Sequence, residues 1–291
     1  MTGLLRLTSA QSTVELQAHG GLLQRYATTL SGRTVEWIHA TQQLGAFVMA
    51  PFCSRIRDGE FTYKDAGRVQ QVRLPPNADD QVMHGYAWQA GWQPVEQTEA
   101  MVRLRYDHAA GDWPWAFQVE QRIELQGDDL VVAVALRNQS TCSHMPAGFG
   151  WHPFFSRTTR MTVQGQVGGW WRLGPDLLPL AHEPLPAELN MAEGLAVDQQ
   201  ALDHVFTGCV YPVRLSWPEW RASLAIHADP VFRHLVVYAP ADATFACVEP
   251  VSNVPDAFNL AAANRAPHGA VWLAPGTSLT GTIRLVPQPS D

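Results

Sequence analysis

Five short stretches of this 291-residue chain set ionisable side chains among aromatic residues, glycine or proline. They are residues 51–61 (PFCSRIRDGEF), 83–88 (MHGYAW), 148–155 (GFGWHPFF), 202–206 (LDHVF) and 247–250 (CVEP). His152 stands between Trp151 and Pro153, with Phe154 and Phe155 beyond and Gly148 and Gly150 before. Glycine in such a run lets backbone pass close to another group. A histidine in this dry setting is either a core residue with its ring nitrogens on backbone or a proton carrier facing a pocket. No HxH or HExxH spacing accompanies it, so the sequence gives no metal motif. Glu249 ends an apolar run and precedes Pro250. It is either a strand-end charge or a carboxylate in a pocket, where desolvation favours the neutral form and makes a better base. Arg55 reads as a surface turn arginine or a ligand-holding one. His84 before Gly85 reads as a turn or a contact, and Asp203 as a helix cap or an acceptor.

The elements that must position these groups are strands. Phe117, Val119, Ile123 and Leu125 alternate with Gln118, Glu120, Arg122 and Glu124, giving one dry face and one wet face. Val102, Leu104 and Tyr106 alternate with Arg103, Arg105 and Asp107. Residues 130–136 (LVVAVAL) read as a strand covered on both sides. Short strands are also expected at residues 161–163, 213–215, 224–226, 235–238, 245–248 and 279–286. Turn signals recur at Pro75-Pro76-Asn77, Gly127-Asp128-Asp129, Gly174-Pro175-Asp176 and Pro275-Gly276. Many short strands with frequent turns indicate an all-β sandwich or barrel. The best helical stretch is near residues 192–206. Residues 174–188 carry four prolines and read as a long loop. Composition does not change along the chain, so a single β domain over residues 1–291 is expected.

Composition narrows the function. Apolar residues make up 46% and charged residues 16%, which excludes wholesale disorder. The net charge of −7 argues against nucleic acid as a partner. Lysine occurs once, at Lys64, and no Gly-Lys pair exists, so a Walker phosphate loop is excluded. Lys64 reads as a turn residue and is a poor candidate for a Schiff base. No segment of membrane-spanning length and no apolar leader is visible, which makes the cytoplasm the expected location and leaves no membrane role. Cys53, Cys142, Cys209 and Cys247 are scattered, form no CxxC pair, and are expected to be buried reduced thiols.

The order of the five stretches resembles the aldose 1-epimerase (galactose mutarotase) family, from about Gly45 to Leu285. Ser54-Arg55-Ile56 with Gly59 and Phe61 resembles the family's Asn-Arg-Ile element, with Ser in place of Asn. His84-Gly85 and Trp88 resemble the next element. His152-Pro153-Phe154-Phe155 is the most specific match. Asp203 with Phe206, and Glu249-Pro250, complete it. The resemblance implies a large twisted antiparallel β-sandwich, the galactose mutarotase-like supersandwich, holding a monosaccharide in an open cleft. It implies exchange of the α and β anomers of a free aldose, with Glu249 as general base and His152 as general acid on opposite sides of the anomeric centre. Glu249 would start ionised and His152 protonated. Arg55, or Arg57 if the turn is shifted, His84 and Asp203 would hold the sugar, and Trp88 and Phe154 would form an aromatic wall. Ring opening and closure need only proton transfers, so no cofactor and no metal are implied.

Three other readings fit the same residues. A non-catalytic carbohydrate-binding protein needs hydrogen bonds but no matched acid and base. A glycosidase would pair Glu249 with Asp203. A hexose-6-phosphate mutarotase needs a cationic pocket, for which Arg55, Arg57, Arg68 and Arg73 are the candidates.

Overall fold

The computed structural model describes residues 3–38, 45–65, 67–198 and 201–290. Among these residues the period-two patterns resolve into two large antiparallel sheets, of eleven and nine strands. Alternation is obeyed closely in the Phe117–Gln126 strand, where every second side chain is buried and the others face outward. That strand pairs with Asp129–Asn138, and Ser278–Pro289 follows as the next neighbour. The sheets stack through an apolar core, with Trp37 beside the first sheet meeting Trp217 of the second at 5.3 Å. The Tyr26 hydroxyl adds a polar tie by donating to the Asp128 carbonyl at 2.7 Å. A stacked arrangement lets each sheet bury one face against the other. The antiparallel β architecture expected from the sequence is therefore present.

The larger sheet does a second job. In its order, Ala46–Met49, Gly150–Ser156, Phe245–Val251, His234–Ala239, Leu202–Thr207 and Gly169–Leu173 lie side by side. Gly150–Ser156 and Phe245–Val251 are buried on nearly every residue, unlike the half-wet strands of the nine-stranded sheet. Trp151 and Phe155 join the core between the sheets. His152 and Phe154, of opposite parity, face the other side of the sheet. There a separate small cluster forms around Phe47, Met49, Cys53, Phe154, Cys247 and Val251.

Several local expectations are corrected. The stretch 192–206 is not a helix: Leu195–Ala196 and Leu202–Thr207 are strands, and residues 199–200 lie outside the described residues. Leu202, Val205 and Phe206 are buried by pairing with the His234–Ala239 strand, so sheet pairing overrides a weak helical spacing. The α-helix that does form is Ala257–Ala262. Residues 174–188 are not one long loop, because Pro179–Glu183 extends the sheet edge by pairing with Gly169–Leu173. Lys64 lies within the Glu60–Asp65 strand of a hairpin, not in a turn. All four cysteines are free; Cys53 and Cys247 are buried, whereas Cys209 is only partly covered and Cys142 is exposed.

One residue breaks the dry face of its strand. Gln121 is fully buried between Val119 and Ile123, and neither its carboxamide nitrogen nor its oxygen has a protein partner. Leaving such groups unpaired costs about 1–3 kcal/mol. Replacing Gln121 with Leu is expected to raise the urea unfolding midpoint by an amount in that range. A lower midpoint would count against the assignment of Gln121 as a stability burden.

Candidate active site

The side of the larger sheet facing away from the core forms the floor of a cavity of about 350 Å³. That size lies at the lower end of the ~300–1,000 Å³ range of small-molecule sites. Its floor follows from strand register. Gly150 pairs with Val251 and Phe154 with Cys247, so His152 lies directly opposite Glu249. Phe47 pairs with His152, Val236 with Glu249, and Val205 with Val236. One row across the sheet therefore reads Phe47, His152, Glu249, Val236, Val205. The next row reads Phe154, Cys247, Tyr238, Asp203.

His152 Nε2 and Glu249 Oε1 are 3.3 Å apart, and both side chains are buried. This corrects the expectation that they flank a ring from opposite sides, because no ring fits between atoms in contact. A ligand has to lie over the pair. Phe47 and Phe154 both pack against the His152 ring, at 4.8 and 4.7 Å, and lie 6.3 Å from each other. Trp88 stands one layer back, stacked on Phe47 at 5.6 Å, and neither it nor Phe154 lines the cavity.

Loops at the ends of the strands form the rim. Asn253 accepts a hydrogen bond from the Cys53 backbone N–H at 3.1 Å and donates to the Cys53 and Val254 carbonyls, which locks the turn carrying Ser54 and Arg55. Gly148 packs against Asn253 so closely that a Cβ would come within 2.1 Å of its side-chain oxygen. Asp256 accepts from the Arg57 backbone N–H at 3.0 Å, and its own N–H donates to the Arg55 carbonyl at 2.7 Å. His84 and Gly85 both have positive φ, and a Cβ on Gly85 would sit 2.1 Å from the Ala50 carbonyl oxygen. That turn can pass Ala50 only as glycine.

The Ser54 backbone N–H donates to His84 Nδ1 at 3.2 Å. An imidazole that accepts at Nδ1 is neutral and carries its proton on Nε2, so His84 offers the cavity a donor. Arg55 lines the cavity and donates from Nε to Gln81 at 2.6 Å. Arg57 does not line it; its guanidinium pairs with Asp176 at 3.2 Å and Asp256 at 3.6 Å. Arg73 is exposed and pairs with Glu60 at 2.7 Å, and the Arg68 side chain lies outside the described ones. Among the described lining residues Arg55 is the one arginine or lysine, so a phosphate-sized cluster of arginines is not assembled here.

Burial governs the charges. Desolvation pulls His152 down to about 3, and desolvation, joined by neighbouring His152 and Arg55, holds His84 well below its ordinary value. Desolvation raises Glu249 well above the carboxylate range; the nearby Asp203 adds to this and Arg55 opposes it. Asp203 is raised by burial and eased down by Arg55. The charged arrangement expected at rest, ionised Glu249 beside protonated His152, is thus the disfavoured one. Moving a single proton from His152 to Glu249 gives an uncharged pair with the same proton count. Cys247 lies beside this pair, and His152, Cys247 and Glu249 place one nitrogen, one sulfur and one oxygen within 4.8 Å of each other.

The five residues singled out from the sequence as Arg55, His84, His152, Asp203 and Glu249 all line one cavity. Asn253 and Tyr238 also line it and were not expected. The polar Ser252-Asn253 step immediately after an apolar strand is a signal that could have found Asn253. Tyr238 carries none, since its place depends on which strands pair.

Residues 3–286 match the family model described as aldose 1-epimerase. A curated relative, "Uncharacterized protein YphB" of Escherichia coli K12, is 27% identical over 249 residues, covering 82% of each chain. A solved galactose mutarotase-like protein from Clostridium acetobutylicum superposes with a TM-score of 0.87 at 18% identity, covering 99% of this chain and 96% of that one. A GalM/aldose epimerase homologue from C. elegans gives 0.84 at 13% identity over the full length of both. The structural matches establish the fold.

The buried carboxyl group has a consequence for stability. With its folded pKa raised, Glu249 ionises first in the unfolded chain, so its cost begins near the unfolded value, about 4.3, and grows with pH until the folded group also ionises. Glu249→Gln removes that cost. Its melting temperature is expected to exceed that of the parent at pH 7, by about 2–4 °C per kcal/mol relieved, with the gap closing below about pH 4. A gap that is constant with pH would contradict this origin.

Proposed function

The chain belongs to the aldose 1-epimerase family, and from that membership we propose that it interconverts the α and β anomers of a free monosaccharide by acid–base opening and closure of the ring. The observation that carries this reading is the buried His152–Glu249 pair, 3.3 Å apart on a cavity floor. The two oxygens of a hemiacetal share one carbon and so present themselves side by side. A side-by-side acid and base match them.

A cyclic aldose opens when the proton on O1 is removed, C1=O1 forms, and the C1–O5 electron pair leaves on O5 with a proton. Glu249, as carboxylate, takes the O1 proton, and His152, as imidazolium, gives one to O5. Rotation about C1–C2 then turns the other carbonyl face to O5. Reversal of both transfers closes the ring and restores the pair. The pair needs one proton throughout, and its resting form stores that proton on Glu249. Sugar hydroxyls donating to the carboxylate, with Arg55 nearby, favour its passage to His152 as the substrate binds. Each positioned acid or base contributes ~10²–10⁴ in rate.

Binding follows from the rim. Arg55 and His84 Nε2 donate to hydroxyls, Asp203 and the Asn253 carboxamide border the same space, and Tyr238 with Val236 offers apolar surface to the ring. With Arg55 as the one arginine or lysine among the described lining residues, a neutral aldose is the better fit than a sugar phosphate.

Anomer-exchange NMR over a panel of free and 6-phosphorylated aldoses tests the reading. Exchange of at least one free aldose faster than in buffer is expected, with Glu249→Gln and His152→Asn each losing about 10²–10⁴ of the rate. Full activity in Glu249→Gln would overturn the assignment, and sugar binding without faster exchange would favour a binding protein. The pair also sets the pH profile. With His152 at about 3, kcat/KM is expected to stay level from about pH 7 down to about 5 and to fall on the alkaline side, where the pair loses its one proton. An acid limb near the ordinary histidine value of about 6.5 would contradict this.

A further inference from the structure

We propose that His152, Cys247 and Glu249 form a three-ligand site for a thiophilic divalent cation, with Zn²⁺ as the type, and that its occupancy shuts off sugar turnover. The binding half stands on the donor geometry alone. The inhibitory half rests on the assignment of His152 and Glu249 to the proton transfers.

The sequence hides this set, because His152 lies far along the chain from Cys247 and Glu249. The sheet assembles it. Cys247 and Glu249 are two residues apart on one strand and so share a face, and His152 is opposite Glu249 on the next strand. Imidazole nitrogen, thiolate sulfur and carboxylate oxygen are together a donor set that zinc accepts and that hard cations such as Mg²⁺ do not favour. Two of the donors already have the right spacing. Tetrahedral bonds of ~2.0–2.1 Å put neighbouring nitrogen and oxygen ligands about 3.3 Å apart, and His152 Nε2 and Glu249 Oε1 are 3.3 Å apart. The sulfur lies within 4.8 Å of both and closes on the ion by a side-chain adjustment of about 1 Å. His152 Nδ1 has no protein partner, so no hydrogen bond holds the Nε2 lone pair away from an ion. His152 and Glu249 open onto the cavity, which supplies the entry path and a fourth position for water.

Binding an ion here would be coupled to release of protons. Glu249, Asp203 and Cys247 share one dry region: burial raises all three, Asp203 adds to this at Glu249, and both carboxyls add to it at Cys247. A divalent cation relieves that repulsion by taking the place of two protons, one from the Cys247 thiol and one from the His152–Glu249 pair. The charge balances: M²⁺ enters and two H⁺ leave, so affinity rises up to about hundredfold per pH unit while both protons are held. An ion bound there occupies the Nε2 lone pair and the carboxylate that the sugar protons need.

The test uses the full chain, freed of thiol reductant, and titrates it with Co²⁺ alone. A thiolate-to-cobalt charge-transfer band in the near ultraviolet and four-coordinate d–d bands are expected, both displaced by Zn²⁺. Cys247→Ala is expected to lose the charge-transfer band and to weaken binding by more than the about 10–100-fold that loss of a supporting residue costs. Glu249→Gln, which keeps the thiol, is expected to weaken Co²⁺ binding as well. In anomer exchange, Zn²⁺ is expected to inhibit the parent reversibly, with EDTA restoring the rate, and to inhibit Cys247→Ala only at concentrations more than about 10–100-fold higher. Absence of the band, its persistence in Cys247→Ala, or an unchanged Zn²⁺ midpoint in that variant would each overturn the proposal. A cobalt spectrum that depends on Cys247, in a protein with no anomer exchange, would uphold the site and sink the catalytic reading instead.

Discussion

The arrangement depends on one register: the pairing that sets His152 across from Glu249 in the middle of a large sheet. Side chains alternate between faces with a period of two, so a slip of one residue in either strand would send one of the pair into the core and the other to the cavity. That slip is resisted from the opposite face. Trp151, Phe155, Ala246 and Val248 are buried in the core between the sheets, and their packing fixes the parity of both strands. The apolar side of each strand thus sets the chemistry of its other side. This is how two residues nearly a hundred positions apart come to lie 3.3 Å from each other.

Burial then decides what the pair is. Covered by strands below and loops above, the two groups are both pushed by desolvation toward their uncharged forms. A charged pair in the same place would have to overcome the desolvation that dominates both groups. Among the described lining residues Arg55 supplies the one guanidinium, with the Asp203 carboxyl on the same cavity. The side chains that hold the rim, Asn253 and Asp256, follow directly after the Phe245–Val251 strand that carries Glu249. Glu249 and the clamps on the arginine turn are therefore one continuous piece of chain, and the geometry of one is tied to the geometry of the other.

Much of this was legible beforehand, and the reasons are specific. Alternation in residues 117–125 and 102–107 is a direct imprint of one-sided burial, so the β architecture could be read from it. His152 and Glu249 stood out because ionisable groups rarely sit among tryptophan, phenylalanine, valine and proline. What could not be read was anything set by pairing between distant strands. Tyr238 and Cys247 enter the site through neighbours that no spacing reveals, and the side-by-side contact of His152 and Glu249 replaced an expected face-to-face one. Arg57 looked equivalent to Arg55 two residues away, yet Asp176 and Asp256 draw it out of the cavity. The helical spacing over 192–206 was a local signal that a long-range partner strand outweighed.

In the larger sheet four strands lie on either side of the central Gly150–Ser156 and Phe245–Val251 pair along the hydrogen-bonded path. Fraying begins at edges and is damped inward, so His152 and Glu249 sit where the backbone breathes least. The loops around the mouth carry no such constraint. The scaffold thus places the paired strands at its most constrained point and leaves the mouth free to change shape without disturbing them.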